Sequence, residues 1–248
     1  MRLKLFIEYD GTQYSGWQKQ QNAKTIQGTL ITAIEKSFLK AKGNSRFVDL
    51  QGSGRTDSGV HAIEQVAHLE CDTMIAPHIL NIKINDELPA DINVLSIEKT
   101  DKNFHARHSA LSRQYLYRIS RRRTAFEKRY VWWIKDELDI SKIKEASDLF
   151  FGMNDFRSFS EPDDENKSTK VLVDYLDVFE EDDLILIRIK ASHFLWKMVR
   201  RIAGTLVEVG RGNIDQVQIK NFLESYSDIP SKFTAPPSGL FIEKIFYQ

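Results

Sequence analysis

The residues with the clearest chemical potential form one short polar loop, residues 54–62, which reads Gly-Arg-Thr-Asp-Ser-Gly-Val-His-Ala. Arg55 stands two positions before Asp57, so on an extended segment both side chains project from the same face. A neighbouring guanidinium keeps a carboxylate ionised and oriented. Gly54 and Gly59 allow the backbone to turn tightly and to approach a bulky ligand. Because an ionised, oriented carboxylate in an open loop suits a nucleophile or a general base, Asp57 is the candidate catalytic residue.

The same loop admits two other interpretations. Asp-Ser-Gly is a common turn sequence, and an exposed arginine–aspartate pair usually adds little stability. Gly52-Ser53-Gly54 is similar to part of a phosphate-binding loop, although no lysine follows at the Walker spacing and no complete G-x-G-x-x-G motif is present. The residues of the loop alone therefore leave a turn, a phosphate loop and a catalytic loop open.

Composition sets the class of protein. The chain has 248 residues, of which 42% are hydrophobic and 28% charged, as in a soluble globular protein of one large or two small domains. No apolar run is long enough to span a bilayer, and the N-terminus leads directly into a strand pattern, so we expect no membrane segment and no signal peptide. The single cysteine excludes an intramolecular disulfide, and no Cys/His cluster has zinc spacing. We expect a cytoplasmic protein without a metal.

Charge is unevenly distributed along the chain, although the net charge is zero. Residues 104–130 contain eight basic residues and one acidic residue, whereas residues 161–183 contain ten acidic residues and two lysines. This segregation predicts a dipolar molecule with one face that attracts a polyanion. The alternative for Arg121, Arg122 and Arg123 is a solvated loop.

Hydrophobic patterning predicts the elements that position the loop. Strands are predicted at 3–9, 46–51, 66–70, 92–99, 112–120, 171–178, 184–190 and 240–246, and helices at 25–42, 77–84, 141–151, 194–209 and 214–225. The order is β-α-β-β-α-β followed by β-α-β-β-α-α-β. It favours an α+β fold of two ferredoxin-like or RRM-like halves that share a central, mainly antiparallel sheet flanked by helices. We divide the chain into 1–105, which carries the Asp57 loop, and 106–248, which completes the active-site cleft.

Six segments in order along nearly the whole chain carry a family resemblance. They are Glu8-Tyr9-Asp10-Gly11 with Gly16-Trp17-Gln18, the 54–62 loop, Phe104-His105-Ala106-Arg107, Arg113-Gln114-Tyr115-Leu116-Tyr117, Met198-Val199-Arg200 and Pro236-Pro237-Ser238-Gly239-Leu240. In these segments the chain resembles the tRNA pseudouridine synthase A family. The resemblance implies the pseudouridine synthase fold and an isomerase that converts uridine to pseudouridine at positions 38 to 40 of the tRNA anticodon stem-loop.

The resemblance also implies roles for five residues. Asp57 would be the nucleophile on a flipped-out uridine, whose glycosidic bond breaks before the base rotates and rejoins through carbon; whether the base or the sugar is attacked first stays open. Arg55 would pair with Asp57 and fill the space left by the extruded base. Tyr115 would stack on that base, Arg200 would be a partner of Asp57 in the active site, and Leu240 would line the pocket floor. From the residue types alone, Tyr115 and Leu240 would be core residues. The reaction needs no cofactor and no metal.

Four further residues have two interpretations each. His61 and His105 could contact phosphate, although a histidine in a mixed loop more often makes structural hydrogen bonds. Lys197 and Arg201 lie near Arg200 at helical spacing and fit either RNA contact or a solvated face.

The chain departs from the family pattern at two positions. Ser58 stands where alanine is frequent, which should be harmless, and Gln114 stands where a basic residue is frequent, which would weaken tRNA binding without affecting the chemistry. The resemblance further implies a homodimer with tRNA as its partner.

Three other functions compete with this one. An RNA-binding module of RRM-like fold would explain Tyr115, Tyr117 and the basic stretch without chemistry. An enzyme for a small phosphorylated substrate would use residues 52–57. A synthase of this family with another target uridine or another RNA is the third.

Overall fold

The chain forms two compact units in the computed structural model, which describes residues 1–41, 44–162 and 168–248. The first unit comprises Met1–Leu111 and Ile242–Gln248, and the second comprises Ser112–Phe241. The last residues of the chain thus return to the first unit. The functional halves expected from the sequence, 1–105 with the Asp57 loop and 106–248 with the rest of the cleft, stay a prediction.

The first unit is a β-α-β-β-α-β arrangement, in the predicted order. Its elements are β1 (Arg2–Tyr9), α1 (Ile26–Leu39), β2 (Arg46–Gly52), β3 (His61–Asp72), α2 (Pro77–Asn85) and β4 (Ile92–Lys99). β1 pairs antiparallel with both β3 and β4, and β2 pairs antiparallel with β3. Alternate residues of β1 are fully buried, so that this strand forms the centre of the unit's core.

Two capping signals fix the helices of this unit. The Thr25 hydroxyl accepts a hydrogen bond from the Gly28 N–H and begins α1, while Pro77 occupies the first turn of α2. Helix α1 ends at Leu39, and Lys42, where the predicted helix ended, lies outside the described residues.

The second unit contains a long antiparallel hairpin, formed by its strands at 170–181 and 184–191, and four helices among its described residues. Its elements are β5 (Ser112–Ser120), β6 (Trp132–Trp133), α3 (Ile140–Ser147), β7 (Gly152–Asp155), β8 (Lys170–Glu181), β9 (Leu184–Ala191), α4 (Met198–Gly210), α5 (Gln216–Glu224), α6 (Ile229–Lys232) and the start of β10 (Leu240–Phe246). β9 pairs antiparallel with β5 and β8, β8 pairs antiparallel with β7, and β6 lies parallel to β5.

The α+β class with mainly antiparallel strands and flanking helices is confirmed. Several details of the predicted elements were wrong. Helix α3 ends at Ser147 rather than at residue 151, and the short helix α6 was not predicted. Helix α4 begins at Met198 rather than at residue 194, because Lys197 has a φ of 62° in the left-handed region, where a helix cannot continue. Strands β6 and β7 were not predicted, since two and four residues are too few for an alternation to be recognised.

Neither a membrane helix nor a metal cluster occurs in the described part of the chain. In residues 1–41, 44–162 and 168–248, no helix has the length and apolar character that crossing a membrane requires. The same residues contain no group of three or more His, Cys, Asp or Glu side chains placed to hold a metal ion.

Candidate active site

The Asp57 loop connects the paired strands β2 and β3, and the residues on both sides of Asp57 are held in place. The Tyr9 hydroxyl lies 3.0 Å from Thr56 Oγ1, and the Trp17 N–H donates to the Thr56 carbonyl at 3.1 Å. After Asp57, Ser58 Oγ and the Gly59 N–H both donate to one carbonyl oxygen, that of Tyr14, at 3.1 and 3.3 Å. The loop backbone next to the candidate nucleophile is therefore fixed by residues 39 to 47 positions away in sequence.

The segment that holds this loop is itself held by the first turn of α1. The Ile26 N–H donates to the Gly16 carbonyl at 3.1 Å and the Gln27 N–H donates to the Trp17 carbonyl at 3.0 Å. These two N–H groups belong to the first helical turn, which leaves its donors without partners inside the helix. Helix α1 thus positions residues 14–17, and residues 14–17 position the Asp57 loop.

Two glycines allow this close packing. Gly16 has a φ of +89°, and a Cβ there would lie 2.3 Å from the Thr56 carbonyl oxygen. At Gly11 a Cβ would lie 1.9 Å from the Val60 carbonyl oxygen. Any side chain at either position would push the loop away, so both glycines are required by the approach of one backbone to another.

The loop glycines differ from each other. Gly59 has a φ of +78°, which confirms the expected tight turn. Gly54 does not lie in the left-handed region, and the space where its Cβ would stand is open. The positive φ therefore favours glycine at position 59. At position 54 the fold would also accommodate a side chain.

A buried glutamine secures the start of the loop. The Gln65 side chain is fully buried, accepts a hydrogen bond from Ser53 Oγ and donates from Nε2 to the Gly54 carbonyl at 3.0 Å. With Tyr9 and Tyr14, Gln65 belongs to a supporting set that the sequence analysis did not identify. For Tyr9 and Gln65, a polar side chain at a buried strand position was the sequence signal that could have identified them.

The two candidate residues of this loop differ in exposure. Arg55 is exposed and Asp57 is half-buried. A half-buried carboxylate on a fixed loop remains accessible to a substrate while its backbone cannot retreat, which is the geometry that a nucleophile needs. The direct pairing of Arg55 with Asp57 stays a prediction.

The two candidate histidines of the first unit accept hydrogen bonds from the backbone. His61 is buried, and its Nδ1 accepts from the Gly11 N–H at 3.1 Å. The same Nδ1 lies 3.2 Å from Asp10 Oδ1, but a nitrogen that accepts from Gly11 carries no proton for that carboxylate. The Nδ1 of His105 accepts from the Arg107 N–H at 3.2 Å and shapes the turn that follows.

The His105 ring contacts the rings of two other histidines, and it is tilted relative to both. Its ring centroid lies 4.7 Å from that of His68 and 4.3 Å from that of His108. Burial, together with the charge of His105, lowers the pKa of His68 to about 4. Burial and the neighbouring His108 also lower the pKa of His105. Both rings are therefore neutral at physiological pH, as structural acceptors require.

In the second unit, Tyr115 is half-buried on β5. Its ring meets the Phe194 ring edge to face, with centroids 4.7 Å apart. Two positions along the strand, Tyr117 is fully buried, and its hydroxyl donates to the Pro236 carbonyl at 2.7 Å. Of the two tyrosines, Tyr115 has the ring with surface left for a ligand.

Arg200 joins α4 to the segment that precedes β10. Its Nε donates to the Ala235 carbonyl at 2.7 Å, and the Ala235 N–H donates back to the Arg200 carbonyl at 3.0 Å. Gly204 permits this contact, because a Cβ there would lie 1.5 Å from the Phe233 carbonyl oxygen. The Arg200 guanidinium is thus oriented by the backbone and half-buried.

Leu240 is buried at the start of β10, next to a close backbone contact. A Cβ on Gly239 would lie 2.7 Å from the Arg118 carbonyl oxygen and 2.9 Å from the Tyr117 ring. The residues Tyr115, Arg200 and Leu240 therefore lie on elements that Tyr117, Pro236 and Ala235 connect within the second unit.

Of the two interpretations of Arg201, the solvated face was wrong. Its side chain is 6% exposed, donates to the Ser160 carbonyl at 2.6 Å and pairs with Glu161. Lys197 Nζ lies 3.2 Å from the same carboxylate. Although burial opposes ionisation, the hydrogen bond from Lys197 and the charge of Arg201 lower the pKa of Glu161. This cluster stabilises the start of α4.

The charge segregation read from the sequence is partly cancelled in space. Arg121 pairs with Glu180, and Arg122 Nε lies 2.8 Å from Asp183 Oδ2, so the basic run meets the turn of the β8–β9 hairpin. Separate basic and acidic faces are therefore not formed at this end of β5. Residues 163–167 of the acidic stretch lie outside the described residues.

Comparison with known proteins gives a consistent result. A family model described as tRNA pseudouridine synthase matches residues 5–109 and 146–248. A tRNA pseudouridine synthase A of Clostridium botulinum is 37% identical over 247 residues, covering 99% of both chains. Proteins with the same name from Blochmanniella floridana and Thermodesulfovibrio yellowstonii are 38% and 34% identical, over 99% and 100% of this chain and 96% and 100% of their own.

Proposed function

This chain belongs to the tRNA pseudouridine synthase family, and on that basis we propose that it modifies uridines 38 to 40 of the anticodon stem-loop with Asp57 as the nucleophile. It is an isomerase with tRNA as its substrate. The target positions and the identity of the nucleophile are the two parts that are proposed.

The reaction conserves all atoms of the uridine. The bond between the ribose C1′ and N1 breaks, a bond between C1′ and C5 forms, and one proton is lost at C5 and gained at N1. A carboxylate that attacks the nucleotide holds one fragment while the base turns. Asp57 can do this because its loop is fixed and its side chain is partly exposed.

A uridine in a stem must leave the stack before Asp57 can reach it, which costs a few kcal/mol. Stacking on an aromatic face recovers about 1–3 kcal/mol of this cost. We assign that face to Tyr115, whose ring is half-buried against Phe194. Tyr115 lies between the two matched segments of the family model, so its assignment depends on this geometry and on the resemblance of residues 113–117.

The other three substrate contacts follow from side-chain chemistry. Arg55 is exposed on the Asp57 loop, where a guanidinium can pair with the carboxylate and take the place of the extruded base. Arg200 presents a guanidinium oriented by the Ala235 carbonyl. Leu240 presents an apolar side chain for the floor under the base.

One observation carries the proposal. Thr56 is hydrogen-bonded to Tyr9 and Trp17, and the two residues after Asp57 are hydrogen-bonded to the Tyr14 carbonyl. Asp57 is thus flanked on both sides by anchored residues. Preorganisation of this kind is expected for a reacting group and is not needed for a surface turn.

The experiment is to incubate the purified protein, without any cofactor, with an unmodified tRNA transcript that carries uridines at positions 38 to 40 and elsewhere. Pseudouridine mapped chemically at 38 to 40 would support the proposal. Pseudouridine confined to other positions would contradict the target assignment and favour a synthase of shifted specificity.

The homodimer implied by the family resemblance is part of the proposal, as is action in the cytoplasm, where tRNA is used. Light scattering on the purified protein should give about twice the 28.7 kDa of one chain. A mass of one chain would contradict the dimer.

A further inference from the structure

The loop between β5 and β6 forms a cleft that the proposed reaction does not use. The cleft has a volume of about 500 Å³ and is lined by Arg123, Thr124, Ala125, Lys128, Val131 and Trp133. This volume falls in the range of ~300–1,000 Å³ typical of sites for small ligands. The loop lies in residues 110–145, between the two segments matched by the family model.

Four basic residues of this loop divide into two groups. Arg121 and Arg122 pair with the acidic residues Glu180 and Asp183. Arg123 and Lys128, which line the cleft, are exposed, and the Arg123 guanidinium contacts an aromatic ring. Within residues 1–41, 44–162 and 168–248, neither Arg123 nor Lys128 forms an ion pair like those of Arg121 and Arg122.

Aromatic side chains accompany these two cations. The Arg123 guanidinium carbon lies 5.7 Å from the centroid of the Trp133 ring, and Trp133 is 42% exposed. Phe126, between the two cations in sequence, is 95% exposed. A phenylalanine this exposed gains nothing from the fold of its own unit, so its ring is available to a ligand.

We propose that Arg123, Phe126, Lys128 and Trp133, here called the β5–β6 loop surface, bind an unpaired nucleotide of the tRNA substrate outside the reacting uridine. The two cations contact the phosphates on its two sides, and the two rings provide faces on which its base stacks. The inference relies on tRNA being the substrate, and it is independent of which uridine is modified and of the role of Asp57.

The chemistry of the surface favours RNA over a protein partner. Alternating cations and aromatic rings are the composition of surfaces that bind single-stranded nucleic acid, because every base has a face for stacking and every linkage a negative charge. The acidic residue within the loop, Glu127, lies 3.8 Å from the guanidinium of Arg118 and does not line the cleft.

A pair of charge-matched double variants tests the cations. Arg123→Gln with Lys128→Gln removes two charges at the cleft, and Arg121→Gln with Arg122→Gln removes two charges from the same loop that are already paired. The affinity for an unmodified tRNA transcript is measured by fluorescence anisotropy at several KCl concentrations. We expect the first double variant to reduce the slope of log Kd against log [KCl] by about 1.5–2, and the second to change it much less.

A second series tests the exposed ring. Phe126→Ala and Phe126→Leu should weaken tRNA binding about 5- to 150-fold, whereas Phe126→Trp should bind as well as the unchanged protein. At saturating tRNA the turnover number should stay near that of the unchanged protein, with the loss appearing in KM. Since Phe126 is almost fully exposed, none of these changes should lower the melting temperature.

Three results would overturn the inference. Equal salt slopes for the two double variants would mean that only the total charge matters. Equal binding by all Phe126 variants would remove the stacking role. A change of molecular mass in Phe126→Ala would instead identify an interface between copies of the chain. Because binding is measured without turnover, failure to form pseudouridine at 38 to 40 would contradict the proposed function and leave this test valid.

Discussion

At the scale of the residue, two tyrosines of one strand have different environments. Tyr115 and Tyr117 stand two positions apart on β5, on the same face, as the alternation predicted. Tyr117 is fully buried with its hydroxyl bonded to Pro236, while Tyr115 is partly exposed beside Phe194. The side-chain period gives the face of a residue but not its depth, because depth depends on what packs above it.

Substitutions at Tyr115 separate stacking from packing. Tyr115→Ala should lower kcat/KM for tRNA about 5- to 150-fold through the loss of the aromatic face, and Tyr115→Phe should lower it little. Steady-state kinetics give the result, and thermal unfolding of both variants is the control for folding. Equal and mild losses in the two variants would show that Tyr115 is only a core residue.

His68 makes stability depend on pH. Its pKa is lowered from 6.5 to about 4 in the folded protein, chiefly by burial, so the unfolded chain takes up this proton at a higher pH than the folded one. The free energy of unfolding therefore keeps its full value above pH 6.5. It decreases as the pH falls towards 4, by about 3 kcal/mol in total.

Urea unfolding of two variants isolates this contribution. His68→Asn keeps an acceptor for the Ala106 N–H but cannot titrate, so its free energy of unfolding should change less between pH 6.5 and 4 than that of the unchanged protein. His78→Asn, at an exposed position, is the matched control and should keep the full pH dependence. Parallel curves for His68→Asn and the unchanged protein would contradict this account.

At the scale of the element, the sequence predicted most strands and helices but not the way in which they support the loop. Periodicity identified β1, α1, β2 and β3, and the glycine-flanked Arg-Thr-Asp run identified Asp57. The bonds from Tyr14 to Ser58 and from Tyr9 to Thr56 span 44 and 47 positions. Contacts at such distances along the chain leave no local pattern, so they had to be seen in the fold. The late start of α4 was missed because a left-handed lysine has no sequence signature.

Gly16 shows how strongly the 14–17 segment and the Asp57 loop are coupled. Gly16→Ala would place a Cβ 2.3 Å from the Thr56 carbonyl oxygen at a positive φ, so we expect it to destabilise the protein by about 1–3 kcal/mol and to lower kcat. Chemical denaturation and single-turnover assays measure the two effects.

Gly54→Ala is the control within the same neighbourhood. The space beside Gly54 is open and its φ is not positive, so alanine there should leave the free energy of unfolding unchanged or slightly raised. If Gly16→Ala were as stable and as active as Gly54→Ala, the packing of residue 16 would not position the loop.

At the scale of the whole molecule, the sequence predicted the class of fold and the family, and it misjudged the distribution of charge. Counting along the chain gave a basic and an acidic stretch, but the β8–β9 hairpin brings Glu180 and Asp183 to Arg121 and Arg122. Linear charge runs do not record which strands are neighbours. Of the basic stretch, Arg123 and Lys128 line the β5–β6 cleft.

The most direct test of the account concerns Asp57. Asp57→Asn keeps the size of the side chain and removes the nucleophile, so pseudouridine formation in single-turnover assays should fall by at least about 10³-fold. The affinity for tRNA should be unchanged or higher, because a negative charge facing the phosphates is lost. Asp72→Asn, an exposed carboxylate paired with Arg46, is the control and should react like the unchanged protein. Near-normal turnover by Asp57→Asn would contradict the assignment of the nucleophile.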